Sequence, residues 1–172
     1  MFIIKSLLHA SGRHGQKSFI IGLLVFSLIY WPQKFIFTGP FLNNFWGFTV
    51  SLFVAVLNCY MIYALCAKRL HDMGRSVWAF TAMISLELCV IITTGLAYGM
   101  ADYFTAFADY DRKEEIPEEV RQEIITNYQA SLQPHMTEIT ILFWVVPVLF
   151  CLWLALSKGQ ASENKYGPVP AI

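Results

Sequence analysis

Residues 44–67 read NFWGFTVSLFVAVLNCYMIYALCA, 24 positions without a charged side chain. As a helix rising 1.5 Å per residue this run is about 36 Å long, enough to cross a hydrocarbon layer of about 30 Å. Lipid cannot satisfy backbone N–H and C=O groups, so a spanning segment must be a helix or part of a closed barrel. Barrel strands alternate apolar and polar residues. This run is continuously apolar, which predicts a helix. Three flanking runs have the same character. Residues 18–37 carry one charge, Lys34; residues 77–98 carry one, Glu87; residues 138–157 carry one, Glu138 at the first position. The expected fold is all-α: a four-helix transmembrane bundle forming a single membrane domain over 1–172, with an extracytoplasmic segment at 99–137 and a tail at 158–172.

Composition agrees with this reading. Hydrophobic residues make up 56% of the 172 and charged residues 14%, against about 45–50% and 25% in soluble domains. Twelve basic and twelve acidic residues cancel. These figures exclude a disordered chain, a soluble globular domain and a nucleic-acid binder built on overall basicity. The first run is followed by Tyr30-Trp31-Pro32-Gln33 rather than a small-residue cleavage site, so it is expected to stay as a span. Met1–Leu8 is too short to span and is expected at the surface. Trp31 and Trp46 suit the membrane–water boundary.

Lys and Arg counts orient the spans. Lys5, Arg13, Lys17, Lys68, Arg69, Arg75, Lys158 and Lys165 fall on one side; Lys34, Arg112, Lys113 and Arg121 fall on the other. Both termini and the 68–76 loop are therefore expected in the cytoplasm, and the 38–43 turn and 99–137 outside. The outer segment is acidic. It includes Asp102, Asp109, Asp111, Glu114, Glu115, Glu118, Glu119 and Glu123. Pro117 followed by two Glu marks a helix start. Ile116, Val120, Ile124, Tyr128 and Leu132 recur every four residues, predicting an amphipathic helix near 117–132 that Pro134 ends. Its stripe is expected to pack on the outer ends of the spans or lie in the interface.

Polar residues inside the spans are few. Glu87 lies ten residues past Val77, near the midplane, where an ionisable group is a functional hypothesis by default. Asn58 lies at matching depth on the preceding span. Two readings are open: a proton- or ion-coupled transporter or channel component using Glu87, and a neutral Asn58–Glu87 hydrogen bond joining two helices. Gly95 and Gly99 form a GxxxG that would allow close approach of helices, within the chain or to a second copy or another membrane protein. Pro147 is expected to kink the last span. Cys59, Cys66, Cys89 and Cys151 all fall within spans and read as buried small hydrophobes rather than metal ligands or a disulfide framework. No HExxH, CxxC, Gly-rich phosphate cradle or paired acidic motif is present. Neither enzymatic activity nor a cofactor or metal is expected.

The densest chemistry is Lys68-Arg69-Leu70-His71-Asp72-Met73-Gly74-Arg75-Ser76-Val77-Trp78. Each residue has a structural role available: cations at a helix C-terminus, a glycine able to end it with positive φ, and a boundary tryptophan. The other reading is anion binding, to lipid headgroups or a small anion.

This stretch resembles the hallmark RLHDxGRSGW motif of the bacterial inner-membrane proteins called domain of unknown function 805. The tail Gly159–Pro170 is similar to that family's closing GxxGxNxYGPDP element. Gly12-Arg13 followed by Phe19 is similar to its opening segment. Val77 and Val169 depart from the usual Gly and Asp. The resemblance implies a multipass protein of the bacterial cytoplasmic membrane without established activity, and it supplies no catalytic residues. All three motifs fall on the face assigned to the cytoplasm. They are expected to form one layer, with Arg13 and Arg69 meeting backbone carbonyls or the acids Asp72 and Glu163. Asn164 and Tyr166 belong to a turn that folds back under the bundle, with Tyr166 and Trp78 at the boundary. Arg13, Arg69, His71, Asp72, Arg75, Asn164 and Tyr166 are thus the candidate site, acting either as a clasp or as an anion site. The function expected is a structural, interaction or lipid-associated membrane protein. Its partners are membrane lipids, and nucleic acid is not among them.

Overall fold

In a computed structural model the chain is described over residues 9–37, 44–108, 110 and 116–170. Their regular elements are helices: α1 (Gln16–Ile36), α2 (Phe45–Asp72), α3 (Trp78–Ala97), α4 (Met100–Ala108), α5 (Glu118–Leu132) and α6 (Met136–Leu156). Among them, the helical runs Phe45–Asp72, Trp78–Ala97 and Glu118–Leu156 are each long and apolar enough to cross a membrane. The 21-residue α1 occupies the place of the first expected span. Large apolar side chains such as Leu28, Phe35, Phe53 and Leu149 are mostly exposed. That is the reverse of the arrangement water selects, and it suits a lipid solvent. The expectations for Met1–Leu8, the 38–43 turn, Asp109, Asp111, Arg112, Lys113, Glu114 and Glu115 lie outside the described residues.

The chain forms two compact units. The first comprises residues 1–82 and 150–172. In it α1 packs on α2, and Phe19, Met61, Leu65, Cys66, Leu70 and Leu154 form its buried core. The core sits where α2 approaches its C-terminus, directly beneath the motif residues. Asn44 caps the N-terminus of α2, its side-chain oxygen accepting from Gly47 N–H at 2.7 Å. At the other end Gly74, with φ +72°, closes the helix, and its N–H donates to His71 O at 3.0 Å. Trp78, at the start of α3, is exposed.

The second unit comprises residues 83–149. Here α5 falls where the four-residue stripe placed it. Its Tyr128 ring lies 4.9 Å from Tyr103 of α4, so the stripe has a partner helix within the outer segment itself. That helix was not expected. The α-helix ends at Leu132, as Pro134 implied, and Gln133–His135 then form one 3-10 turn that leads straight into α6. The turn holds Pro134 near its start, where the missing N–H is not required. One further expectation changes: the GxxxG is not one helical stripe. Gly95 lies in α3 and is covered by Met100, whereas Gly99 has φ +100° and forms the turn into α4. A side chain at Gly99 would be strained in that conformation. Pro147 lies inside α6, which continues through it. At the start of α6, Glu138 accepts from Tyr98 Oη at 2.9 Å and from His135 Nδ1 at 3.2 Å.

Candidate functional site

The candidate site gathers three stretches far apart in sequence: residues 12–15 before α1, the last turn of α2, and the tail after α6. The last turn of α2 places Lys68, Arg69 and Asp72 on the buried side, and Arg69 is fully buried. Asp72 is the acid both arginines share. Arg13 Nε and Nη2 donate to Asp72 Oδ1 at 3.2 and 3.1 Å. Arg69 Nη1 pairs with Asp72 Oδ2, one turn away on the same helix. Glu163, the other acid expected here, is exposed.

The remaining guanidinium donors go to main-chain carbonyls. Arg13 Nη1 donates to Ser162 O at 2.8 Å and Gly167 O at 3.2 Å, and Nη2 donates to Gln160 O at 2.6 Å. Arg69 Nε donates to Leu154 O at 2.9 Å, Nη1 to His14 O at 3.3 Å, and Nη2 to Ser157 O. A guanidinium has five N–H donors. All five of Arg13 therefore face protein acceptors, and at least four of Arg69 do. Two buried cations beside one buried carboxylate would be costly alone; the ring of carbonyl dipoles supplies the rest of the compensation.

Backbone pairing locks the same three stretches together. His14 N–H donates to Lys68 O at 3.1 Å, and Gln160 N–H to Asp72 O at 2.8 Å. Asn164 Nδ2 donates to His71 O at 2.9 Å, and its Oδ1 accepts from Tyr166 N–H at 2.9 Å. Asn164 and Gly167 exchange main-chain bonds across the turn. Tyr166 lies over His71, with ring centroids 3.9 Å apart and planes 11° from parallel. His71 Nδ1–H donates to Gly12 O at 3.2 Å. The Tyr166 ring is thus a lid on the imidazole. Arg75 stands outside the network, with its guanidinium 5.2 Å from the centroid of Trp153.

Gly159 and Gln160 belong to the site although neither was singled out. A Cβ at Gly159 would stand 2.0 Å from Asp72 Oδ2, so only glycine lets the tail pass this close to the carboxylate. The signal for Gly159 was its place in the closing element. Burial and the nearby Lys68 ammonium push the His14 imidazole down to about 4.

The intramembrane candidates lie in different units. Asn58, in the first, donates through Nδ2 to Gln33 Oε1 of α1 at 2.6 Å. Glu87, in the second, has both carboxyl oxygens buried and without a hydrogen-bond partner among the described residues. Pockets among the described residues include four. One, of about 290 Å³, lies beside the motif residues and includes Lys17, Asp72, Gly159 and Val169. A second, of about 330 Å³, lies between α1 and α2 around Gln33 and Asn58. Two more, of about 310 and 490 Å³, lie between α4 and α5. Glu87 lines none of these four. Among the described residues no group of His, Cys, Asp and Glu is gathered as a metal site would require.

A family model described as protein of unknown function (DUF805) matches residues 7–168. No curated protein and no solved structure matches the chain.

Proposed function

We propose a role for a chain that belongs to the DUF805 family over residues 7–168: a small multipass protein of the bacterial inner membrane, acting as a structural or interaction element among lipids, whose cytoplasmic face is closed by an arginine–aspartate clasp. In this reading α1 is the fourth span and both termini are cytoplasmic. The Lys and Arg distribution supports that orientation. The observation that carries the clasp is Arg13. Every donor it has is used on Asp72 and on the carbonyls of Gln160, Ser162 and Gly167, so none remains for a headgroup phosphate. The test is Arg69→Ala and Arg13→Ala protein in mild detergent, followed by melting and by native mass spectrometry of retained phospholipid. The clasp requires a lowered melting temperature with the lipid count of the folded protein unchanged. Wild-type melting with loss of bound anionic lipid would instead assign the cluster to headgroup recognition.

A second reading rests on Glu87, whose carboxyl lacks a hydrogen-bond partner among the described residues. In it Glu87 carries a proton for a transporter or channel. Proton-coupled flux in reconstituted vesicles that vanishes in Glu87→Gln, with the fold retained, would establish it.

A further inference from the structure

The groove between α4 and α5 presents accessible acceptors around one carboxylate. It is lined by positions 99, 102, 103 and 106 on one side and by 124, 127, 128 and 131 on the other. Each set is spaced i, i+3, i+4, i+7, which is one face of a helix, so two facing helices form its walls. Asp102, Asn127 and Ser131 are exposed and open to a ligand. Among the described residues no cation forms an ion pair with Asp102. Arg121 of α5 pairs with Glu118 instead. Arg112 and Lys113 stand ten and eleven positions further along the chain, past the far end of α4. Asp102 in the first turn of α4 suits the helix dipole, but a dipole calls for no acceptor on the facing helix.

The facing helix supplies those acceptors. The Ser131 hydroxyl donates to Tyr128 O at 2.8 Å, so its oxygen is left as an acceptor at the groove. A Cβ at Gly99 would stand 3.1 Å from Ser131 Oγ, so glycine keeps that side of the hydroxyl uncrowded. Asn127 adds an amide oxygen and Asp102 two carboxylate oxygens. Tyr103 and Tyr128, half-buried with ring centroids 4.9 Å apart, give the groove aromatic surface, and Ala106 and Ile124 extend it as an apolar wall. Acceptors around one carboxylate match a cation with several N–H donors, and aromatic faces attract the same cation. An ammonium head has three such donors. A cavity of about 310 Å³ holds that head with a short alkyl stem. We propose that the α4–α5 groove binds a primary alkylammonium, with Asp102 as its counter-ion, the Asn127 and Ser131 oxygens as further acceptors, and the stem on Tyr103 and Tyr128. Glu118, Glu119 and Glu123 on α5 add a negative field that concentrates cations there. This goes beyond the clasp, which uses residues of the other unit. Two sources carry the chemistry: a free primary amine, and the headgroup of phosphatidylethanolamine.

The full chain in phosphatidylcholine nanodiscs, which leave both faces open and carry only quaternary headgroups, can be photolabelled with a diazirine-bearing hexylamine. Its N,N,N-trimethyl analogue keeps the charge and loses every donor. Adducts are located by peptide mass spectrometry. Labelling within residues 99–106 and 124–131 by the amine is expected to exceed that by the analogue about five-fold, the worth of one hydrogen bond in contact with water. Asp102→Asn should erase the preference. Competition on the wild type guards against a misfolded variant: unlabelled hexylamine should suppress the labelling, and N,N,N-trimethylhexylammonium should not. Nanodiscs that also contain phosphatidylethanolamine separate the two sources. Suppressed labelling there identifies the lipid headgroup as the ligand, and unchanged labelling assigns the groove to free amines. Equal labelling by the amine and its analogue in phosphatidylcholine would overturn the proposal, as would a preference that survives Asp102→Asn in folded protein.

Discussion

Asp72 joins the two buried arginines of the first unit. Its two oxygens each take a different arginine, and both pairs are buried. Removing one member of a buried charged network leaves the rest uncompensated, at a cost of about 3–5 kcal/mol. Asp72→Asn keeps the shape and removes the charge, and is expected to lose stability of that order in detergent melting or denaturant titration. His14 makes the same region sensitive to acid. Its imidazole titrates at about 4 in the folded protein and near 6.5 when unfolded. The unfolded state therefore binds the proton first as pH falls, and the stability His14 contributes is full above about 6.5 and lost progressively toward 4. Protonation would set a new cation beside Lys68 and close to Arg69, whose Nη1 bonds the His14 carbonyl. Melting temperature should drop between pH 6.5 and 4, and His14→Gln should flatten that part of the profile.

At the scale of elements, helix boundaries follow local chemistry. Asn44 holds the first turn of α2 through Gly47 N–H, so Asn44→Ala should cost about 1 kcal/mol and be detectable as a lower denaturation midpoint. Much of this level was legible in sequence. The apolar runs gave the positions of α1, α2, α3 and α6, and the stripe from Val120 to Leu132 gave α5. The short α4 was missed because its aromatic residues, Tyr103, Phe104 and Phe107, sit within an acidic segment that reads as solvated cap. Tyr103 packs against Tyr128, which is distant in sequence. The α-helix ends at Leu132 as Pro134 implied, and the 3-10 turn that follows was not foreseen because a proline that stops an α-helix is compatible with the first residues of such a turn. The clasp was legible in its side chains and not in its acceptors. Arg13, Arg69 and Asp72 are visible as charges that burial forces together. Leu154, Ser157, Gln160, Ser162 and Gly167 contribute carbonyls, which every residue possesses, so no pattern of residue types marks them.

At the scale of the whole molecule, zero net charge conceals an asymmetry. The proposed topology sets eight basic and two acidic residues on the cytoplasmic side, and four basic and nine acidic outside, with Glu87 between. The basic side is also where the chain's ends converge, residues 59 to 154 positions apart meeting on one guanidinium. This closure has a measurable consequence. Arg13 stabilises the tail only through carbonyls of residues 160, 162 and 167, and the tail in turn compensates a guanidinium that Asp72 alone does not satisfy. Each partner's worth depends on the other, so their removal should not add. Deleting residues 158–172 and replacing Arg13 by Ala are expected to destabilise the protein separately. The combination should cost less than the two summed, with a coupling of about 1–3 kcal/mol. A thermodynamic cycle over the four proteins, with denaturation followed in one detergent at one pH, measures it. Strict additivity would mean that the tail and Arg13 act independently and that the clasp is not a unit.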